Sequence, residues 1–282
     1  MNKVFAIVVT YNPDEELLKQ QFETLQGQVD CIIYVDNHST STAFIDALKN
    51  IDVTIIKNED NLGLAKAQNQ GIAHAKQSGA SFVLLFDQDS VPVEGFVDAL
   101  LTCFHILAKK EKVALIGPAI RSRYKGCIGN EKGIVIKGLG FQRVEVCAFT
   151  DVSYCIASGS LIPIRVLDEV GGMEEKLFID GVDLEWCLRA KNFGYHIVQT
   201  NRTWLSHALG NGETSKIKSH SPQREYYIMR NNVWMVRQGF IPIGYRIRKI
   251  FALFYRLIHS LLCFDMDYLT IECRGVINGL ML

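Results

Sequence analysis

Phe82-Val-Leu-Leu-Phe86 is followed at once by Asp87-Gln-Asp-Ser90. Five apolar residues without polar alternation describe a strand buried on both faces, and such strands belong to parallel sheets covered by helices on each side. The acids arrive where the strand must leave the sheet. Reading outward, Val4 to Val9, Cys31 to Val35 and Val53 to Ile56 are three more short apolar runs. Between them lie helical patterns at Pro13 to Leu25, Thr42 to Lys49 and Leu64 to Ser78, the first with Leu17, Leu18, Phe22 and Leu25 at helical spacing. Alternating strands and helices predict an α/β chain with a mostly parallel central sheet flanked by helices. In such sheets ligands sit beyond the carboxyl ends of the strands. Thr10, Tyr11 and Asn12, then Asp36 and Asn37, then Asp87, Gln88 and Asp89 are predicted to converge there.

Each cluster suggests a chemistry. In an extended segment alternate side chains face one side, so Asp87 and Asp89 are expected to share a hard cation, Mg²⁺ or Mn²⁺, with diphosphate oxygens filling its shell. Asp36 can accept from the imide of a base, with Asn37 and Ser39 beside it, although Asp-Asn also suits an Asx turn. Asn61-Leu-Gly-Leu-Ala-Lys-Ala-Gln-Asn69 opens a helix. There Gly63 permits close backbone approach, free N–H groups favour anions, and Lys66 or Asn69 is placed to face a nucleotide. Further on, Gly171-Gly-Met and Phe178-Ile-Asp-Gly-Val-Asp-Leu-Glu-Trp-Cys-Leu-Arg189 present Asp180, Asp183 and Glu185 before Arg189. Asp183, near a helix start, is the candidate general base, and Glu185 is placed to hold Arg189 or orient the loop. Arg224, Tyr227 and Arg230, three apart, form a helical face suited to a diphosphate.

Composition narrows the classes. Lys plus Arg and Asp plus Glu are 30 each, so no basic excess points to nucleic acid. Eight cysteines lack any C-x-x-C pair, and buried reduced thiols are expected. No run approaches the ~20 apolar residues of a membrane span, and Val4 to Val9 is too short for a signal segment. Residues 246 to 262 do make an amphipathic helix. Ile247, Ile250, Phe251, Phe254, Leu257, Ile258, Leu261 and Leu262 form its apolar face, opposite Arg248, Lys249, Arg256 and His259. Such a helix can lie in a headgroup layer, aided by its basic side chains, or pack on protein.

The ordered motifs Val9-Thr-Tyr-Asn12, Val35-Asp-Asn37, Asn61-Leu-Gly-Leu-Ala65, Phe86-Asp-Gln-Asp-Ser90, Gly171-Gly-Met, Phe178 to Arg189, and the His207 and Arg224 to Asn231 segments resemble glycosyltransferase family 2 over residues 3 to 235. Within it they are similar to the bacterial rhamnosyltransferases that build O-antigens and related cell-surface polysaccharides. The resemblance implies a GT-A (Rossmann-like) fold over 1–240, with a nucleotide-binding half at 1–110 and an acceptor half at 111–240, and a helical extension at 241–282. It implies a divalent cation at Asp89 and Asp87, with His207 a further candidate ligand, a base contact at Asp36, and inversion at the anomeric carbon. Asp183 then matches the catalytic base, though Val182 stands where many relatives carry Glu, and Asp180 is the alternative. The implied donor is dTDP-L-rhamnose, with other dTDP- or UDP-sugars as alternatives. The implied acceptor is a polyprenyl-diphosphate-linked saccharide at the cytoplasmic face of the membrane. A nucleotidyltransferase would show a Gly- and Arg-rich loop after the first strand, where Thr10-Tyr-Asn-Pro13 stands instead. A catalytically silent nucleotide-sugar-binding scaffold would have no need of Asp87, Asp89 and Asp183 together.

Overall fold

The computed structural model describes residues 2–47, 53–122, 132–207 and 221–282. The chain opens as β1 (Val4–Thr10), α1 (Glu15–Leu25), β2 (Cys31–Asp36), α2 (Ala43–Ala47), β3 (Val53–Lys57), α3 (Leu64–Gln77) and β4 (Phe82–Asp87). These are the elements expected from the apolar runs. Helix α1 starts two residues later than expected, because Asp14 caps it by accepting from the Glu16 and Leu17 amides. The end of the expected second helix, at Leu48 and Lys49, lies outside the described residues.

The chain continues through β5 (Ser90–Pro92), α4 (Phe96–Leu107), β6 (Val113–Ser122), the hairpin β7 (Gly133–Lys137) and β8 (Gly140–Val144), and β9 (Thr150–Val152). Then come β10 (Ser160–Pro163), α5 (Ile164–Val170), α6 (Val182–Asn192), β11 (His196–His207), and α7 (Pro222–Val236), α8 (Ile243–Leu262) and α9 (Met266–Met281). The main sheet runs β3-β2-β1-β4-β10-β6-β11-β5, with β9 pairing β11. β1 to β4 are parallel, β10 is antiparallel to its neighbours β4 and β6, and β6 and β11 are parallel. One continuous sheet therefore carries both halves of the chain.

Strand alternation splits the core in two. Phe5, Ile7 and Val9 face a layer containing Ile72 of α3 and Trp186 of α6, while Val4, Ala6 and Val8 face Leu18 and Phe22 of α1 and Leu100 of α4. Both faces of β1 are thus dry, which is why its sequence shows no polar alternation. Cys103, Cys155 and Cys187 are buried free thiols, but Cys147, Cys263 and Cys273 are exposed, so the expectation of uniformly buried cysteines fails on the loops and C-terminal helices. Cys127 lies outside the described residues.

The C-terminal helices form a connected layer. Gly275 and Gly279 let α9 lie directly on α7: a Cβ at Gly279 would stand 2.4 Å from the Arg230 carbonyl oxygen. Helix α8 is amphipathic as expected. Its apolar side points away from the protein, with Phe251 70 % and Leu262 71 % exposed. Its basic side does not all flank that surface. Arg256 pairs with the buried Glu225 of α7 at 2.5 Å, and Arg246 donates to the Val236 carbonyl at 2.6 Å. Charges that have partners on α7 turn inward, since an unpartnered buried Glu225 is costly. The same bonds join the extension from 241 onward to α7. No helix among the described residues is long and apolar enough to cross a membrane.

Candidate functional site

The carboxyl ends of β1, β2 and β4 do converge, but most of their polar groups are tied to one another. Thr10 and Asp36 are register partners, and Asp36, 2 % exposed, accepts from the Thr10 hydroxyl at 3.0 Å and from the Ser39 hydroxyl and amide at 2.5 and 3.0 Å. Both its oxygens are engaged, so the carboxylate is fixed in place and organises the loop. Asn12, at φ +47°, holds Thr40 through its side-chain oxygen. Asn37 joins Asn58, Asn61 and the Leu62 amide. Gln88 bonds the Tyr11 amide at 2.7 Å, leaving the Tyr11 ring exposed at the rim.

The acidic triplet also differs from expectation. β4 ends at Asp87, and Gln88 and Asp89 form the turn into β5. Alternation along a strand therefore does not orient Asp89. The turn is instead fixed from outside: the buried Gln21 of α1 donates to the Asp87 and Ser90 carbonyls, and the Asp87 amide donates to the Ser158 hydroxyl. Strand pairing sets His207 opposite Ser90, one residue beyond Asp89; the His207 side chain lies outside what the structure describes. No group of three or more His, Cys, Asp or Glu suited to a metal is present among the described residues. A pair of hard carboxylates still fits a hard cation that takes its other ligands from a diphosphate and water.

The segment from Gly171 to Gly181 is the best-anchored loop of the site. Glu185, 1 % exposed, grips Arg189 through two bonds of 2.8 and 2.9 Å. Arg189 in turn donates to the Val170 and Gly172 carbonyls. Glu185 thus orients the loop through Arg189. Asn69 brackets Met173 and bonds Glu175, so it faces this loop and not a nucleotide. Lys66 stays exposed. Gly63 is needed at φ +86° and because Phe178 lies against it: a Cβ there would stand 2.5 Å from the Phe178 ring. The Ala65 amide donates to the Phe178 carbonyl, so a protein group meets this helix start.

The expected diphosphate face of α7 is occupied in the same way. Arg224 makes a bidentate pair with Asp180, at 2.8 and 3.1 Å. Tyr227 stacks on Phe178 with centroids 4.6 Å apart, and Arg230 donates to the Lys176 and Leu177 carbonyls. Asn231, which ends the Arg224 to Asn231 motif and carried no role of its own there, donates to the carbonyls of Leu177, Ile179 and Asp180. These bonds hold Phe178 and Asp180 at φ +64° and +62°, a conformation costing about 1–3 kcal/mol per residue. Asp180 is consequently taken by Arg224, which argues against it as the base.

The strained turn delivers Asp183 at the start of α6. Burial lifts its carboxyl to about 6; the Leu184 amide, bonded at 2.8 Å, opposes the shift, and the charge of Asp180 adds to it. Asp183 stands in the wall between two cavities. One, of about 290 Å³, also contacts Asp87, Gln68 and Arg224. The other, of about 320 Å³, contacts Tyr154, Asn232, Tyr245 and Lys249. Gln68 is 1 % exposed and neither polar atom of its amide has a hydrogen-bond partner among the described residues. A glutamine at helical spacing with Leu64, Ile72 and Ala75 on the inward face of α3 was the legible sign of it. A larger recess, about 800 Å³, opens at the opposite edge of the sheet beside Phe82 and Pro163, but its acid, Asp168, is paired with Lys76.

The family model described as glycosyl transferase family 2 matches residues 5–171. A dTDP-rhamnosyl transferase of Shigella flexneri, RfbF, is 33% identical, covering 99% of this chain and 96% of the relative. The galactofuranosyltransferase GlfT1 of Mycobacterium tuberculosis is 27% identical over 83% of this chain and 82% of its own. Among solved structures, TarS of S. aureus in complex with UDP-GlcNAc superposes with TM-score 0.60 at 15% identity, covering 98% of this chain and 79% of that one. GalNAc-T7 with UDP, GalNAc and Mn²⁺ superposes with TM-score 0.63 at 14% identity, over 88% and 53%. The GT-A arrangement of the sheet and its helices is thereby shared.

Proposed function

The chain belongs to glycosyl transferase family 2, and on that premise we propose that it moves L-rhamnose from dTDP-L-rhamnose, with inversion, to a lipid-linked saccharide during cell-surface polysaccharide assembly. The observation that carries the reading is Asp183, a carboxyl lifted to about 6 in the wall between two cavities, one of which also holds Asp87. A base of that strength is ionised at neutral pH yet basic enough to take the proton of an acceptor hydroxyl as it attacks. One such carboxylate suffices, because a single displacement from the face opposite the leaving group inverts the anomeric carbon and needs no enzyme nucleophile. Identity to the Shigella flexneri dTDP-rhamnosyl transferase over nearly the whole chain supports the donor.

The donor belongs on the Asp87 side. Tyr11 is the side chain left open to face the base, and Arg224 and Gln68 reach the cavity where the diphosphate and sugar would sit. Asp87 and Asp89 are the residues to hold Mg²⁺ or Mn²⁺, which supplies charge neutralisation for the departing diphosphate. A donor screen with purified protein and either cation, reading nucleotide diphosphate release, tests the assignment. Release from dTDP-L-rhamnose is expected; release only from a UDP-sugar, or from none, overturns it.

The apolar face of α8 supports a place on the inner surface of the membrane. Phe251, Phe254, Ile258, Leu261 and Leu262 form an exposed stripe that no described element of the chain covers. The protein is expected to co-sediment with phosphatidylglycerol vesicles at low salt, and Phe251→Glu with Phe254→Glu to release it. If the same double change instead converts a dimer to a monomer, the stripe is a subunit interface.

A further inference from the structure

The cavity on the side of Asp183 away from Asp87 is partly made by α8, which lies beyond the segment matched by the family model. Tyr245 and Lys249 of that helix line it with Tyr154 and Asn232. The Lys249 ammonium lies 5.3 Å from the centre of the Tyr245 ring, and no carboxylate pairs with it among the described residues. Of the acids in the cavity, Asp180 is held by Arg224, and Asp183 is bonded by the Leu184 amide. Burial, and after it the charges of Arg248 and Arg256, together lower the pKa of Lys249 to about 8.

Such a cation is not held in place by a salt bridge. It is held by the seating of α8. Arg256 is locked to Glu225, and Gly244 sits so close to the β7–β8 turn that a Cβ would stand 1.8 Å from the Gly138 carbonyl oxygen. A partly desolvated cation without a counter-ion is costly, and an entering anion relieves that cost.

We propose that this cavity binds the acceptor and that Lys249 receives a phosphate group of it, next to the hydroxyl presented to Asp183. This rests on the reading of Asp183 as the base of a glycosyl transfer. The cavity's volume falls at the lower end of the ~300–1,000 Å³ usual for small-molecule sites. The other side of the same helix is the exposed apolar stripe. A helix with its side chains is about 10–12 Å across, so a phosphate at Lys249 and an acyl or polyprenyl chain on the stripe are separated by one helix diameter. A lipid phosphate is the ligand whose chemistry fits both. The phosphate can come from the acceptor's own linkage or from a phospholipid headgroup, and these are separable.

The test uses pyridoxal 5′-phosphate on the full-length protein with dTDP and Mg²⁺ present. This phosphate-bearing aldehyde condenses with an unprotonated amine, losing water, and borohydride fixes the adduct for peptide mapping. Lys249 is expected to be labelled at least tenfold more than the exposed Lys66. Inorganic phosphate should suppress the labelling and chloride at the same ionic strength should not. Lys249→Gln should remove that adduct while its thermal unfolding stays as in the unaltered protein. Equal labelling of Lys66 and Lys249, or labelling indifferent to phosphate, overturns the proposal. Protection by phosphatidylglycerol vesicles but not by soluble phosphate also overturns it, assigning Lys249 to a headgroup. Failure of the glycosyl-transfer reading itself would appear separately, as no dTDP release from dTDP-L-rhamnose by the unaltered protein.

Discussion

The loops after β1 and β2 direct their polar groups at one another, whereas the segment from Phe178 through Asp183 and the facing side of α8 keep theirs strained, lifted or unpaired. Asp36 has three donors, and Asn12, Asn37 and Gln88 are each bonded to a neighbouring loop. Asp180 is held left-handed by Arg224 and Asn231, Asp183 carries a carboxyl raised by burial, and Lys249 faces their cavity with no carboxylate paired to it among the described residues. The first region is complete before any ligand arrives, and a prewired rim of that kind suits rigid positioning. The second keeps groups whose electrostatic cost a reactant can relieve, as sites of proton transfer commonly do.

That contrast can be broken by substitution. The largest effect is expected from the metal: excess EDTA, or Asp89→Ala, should abolish transfer while the protein stays folded, and Mg²⁺ or Mn²⁺ should restore it after chelation. Full turnover in EDTA would remove the cation from the scheme. Next, Asp183→Asn should lower turnover by ~10²-fold or more, the scale of a lost general base. The unaltered enzyme should lose activity as pH falls through about 6, where Asp183 takes up its proton.

The stability consequence has the opposite sense. A carboxyl whose folded pKa exceeds its unfolded value binds more protons when folded, so its contribution to stability falls as pH rises from about 4 to about 6. Asp183→Asn should therefore stabilise the fold at pH 7, by up to about 3 kcal/mol, even as turnover collapses. A destabilised Asp183→Asn would mean that the carboxylate is structural.

Glu185→Ala leaves Arg189 without its partner under the Gly171–Met173 loop. It should cost about 3–5 kcal/mol of stability, the usual penalty for breaking a buried pair, measurable by urea unfolding. Lys66→Ala lies at the small end, within about 0.5 kcal/mol in stability and with donor KM unchanged. A raised donor KM there would return Lys66 to the nucleotide site.

Much of this was legible in order of residues. The apolar runs fixed which segments lie in the dry centre of the sheet, since strands covered on both faces show no polar alternation. The acids after them had to fall at the carboxyl edge. Glu185 and Arg189, four apart on one helix, announced their own pairing. The helix start that carries Asp183 was legible from Gly181 and the acids after it.

What one dimension withheld are the contacts between residues far apart in the chain. Gly63 looked like a seat for an anion until Phe178 filled the space over it. Arg224, Tyr227 and Arg230 were legible as one helical face, but not that this face also holds a turn some 50 residues earlier. Gln21 was one more polar residue on a helix, although it pins the turn that carries Asp87 and Asp89. Helix α8 makes the division plain. Its period and the width of its apolar stripe are properties of the sequence, because the helix fixes the angle between successive side chains. Which side faces the protein is decided by Glu225, Val236 and Gly138, whose charge, carbonyl and close approach draw the basic side inward and leave the apolar side out.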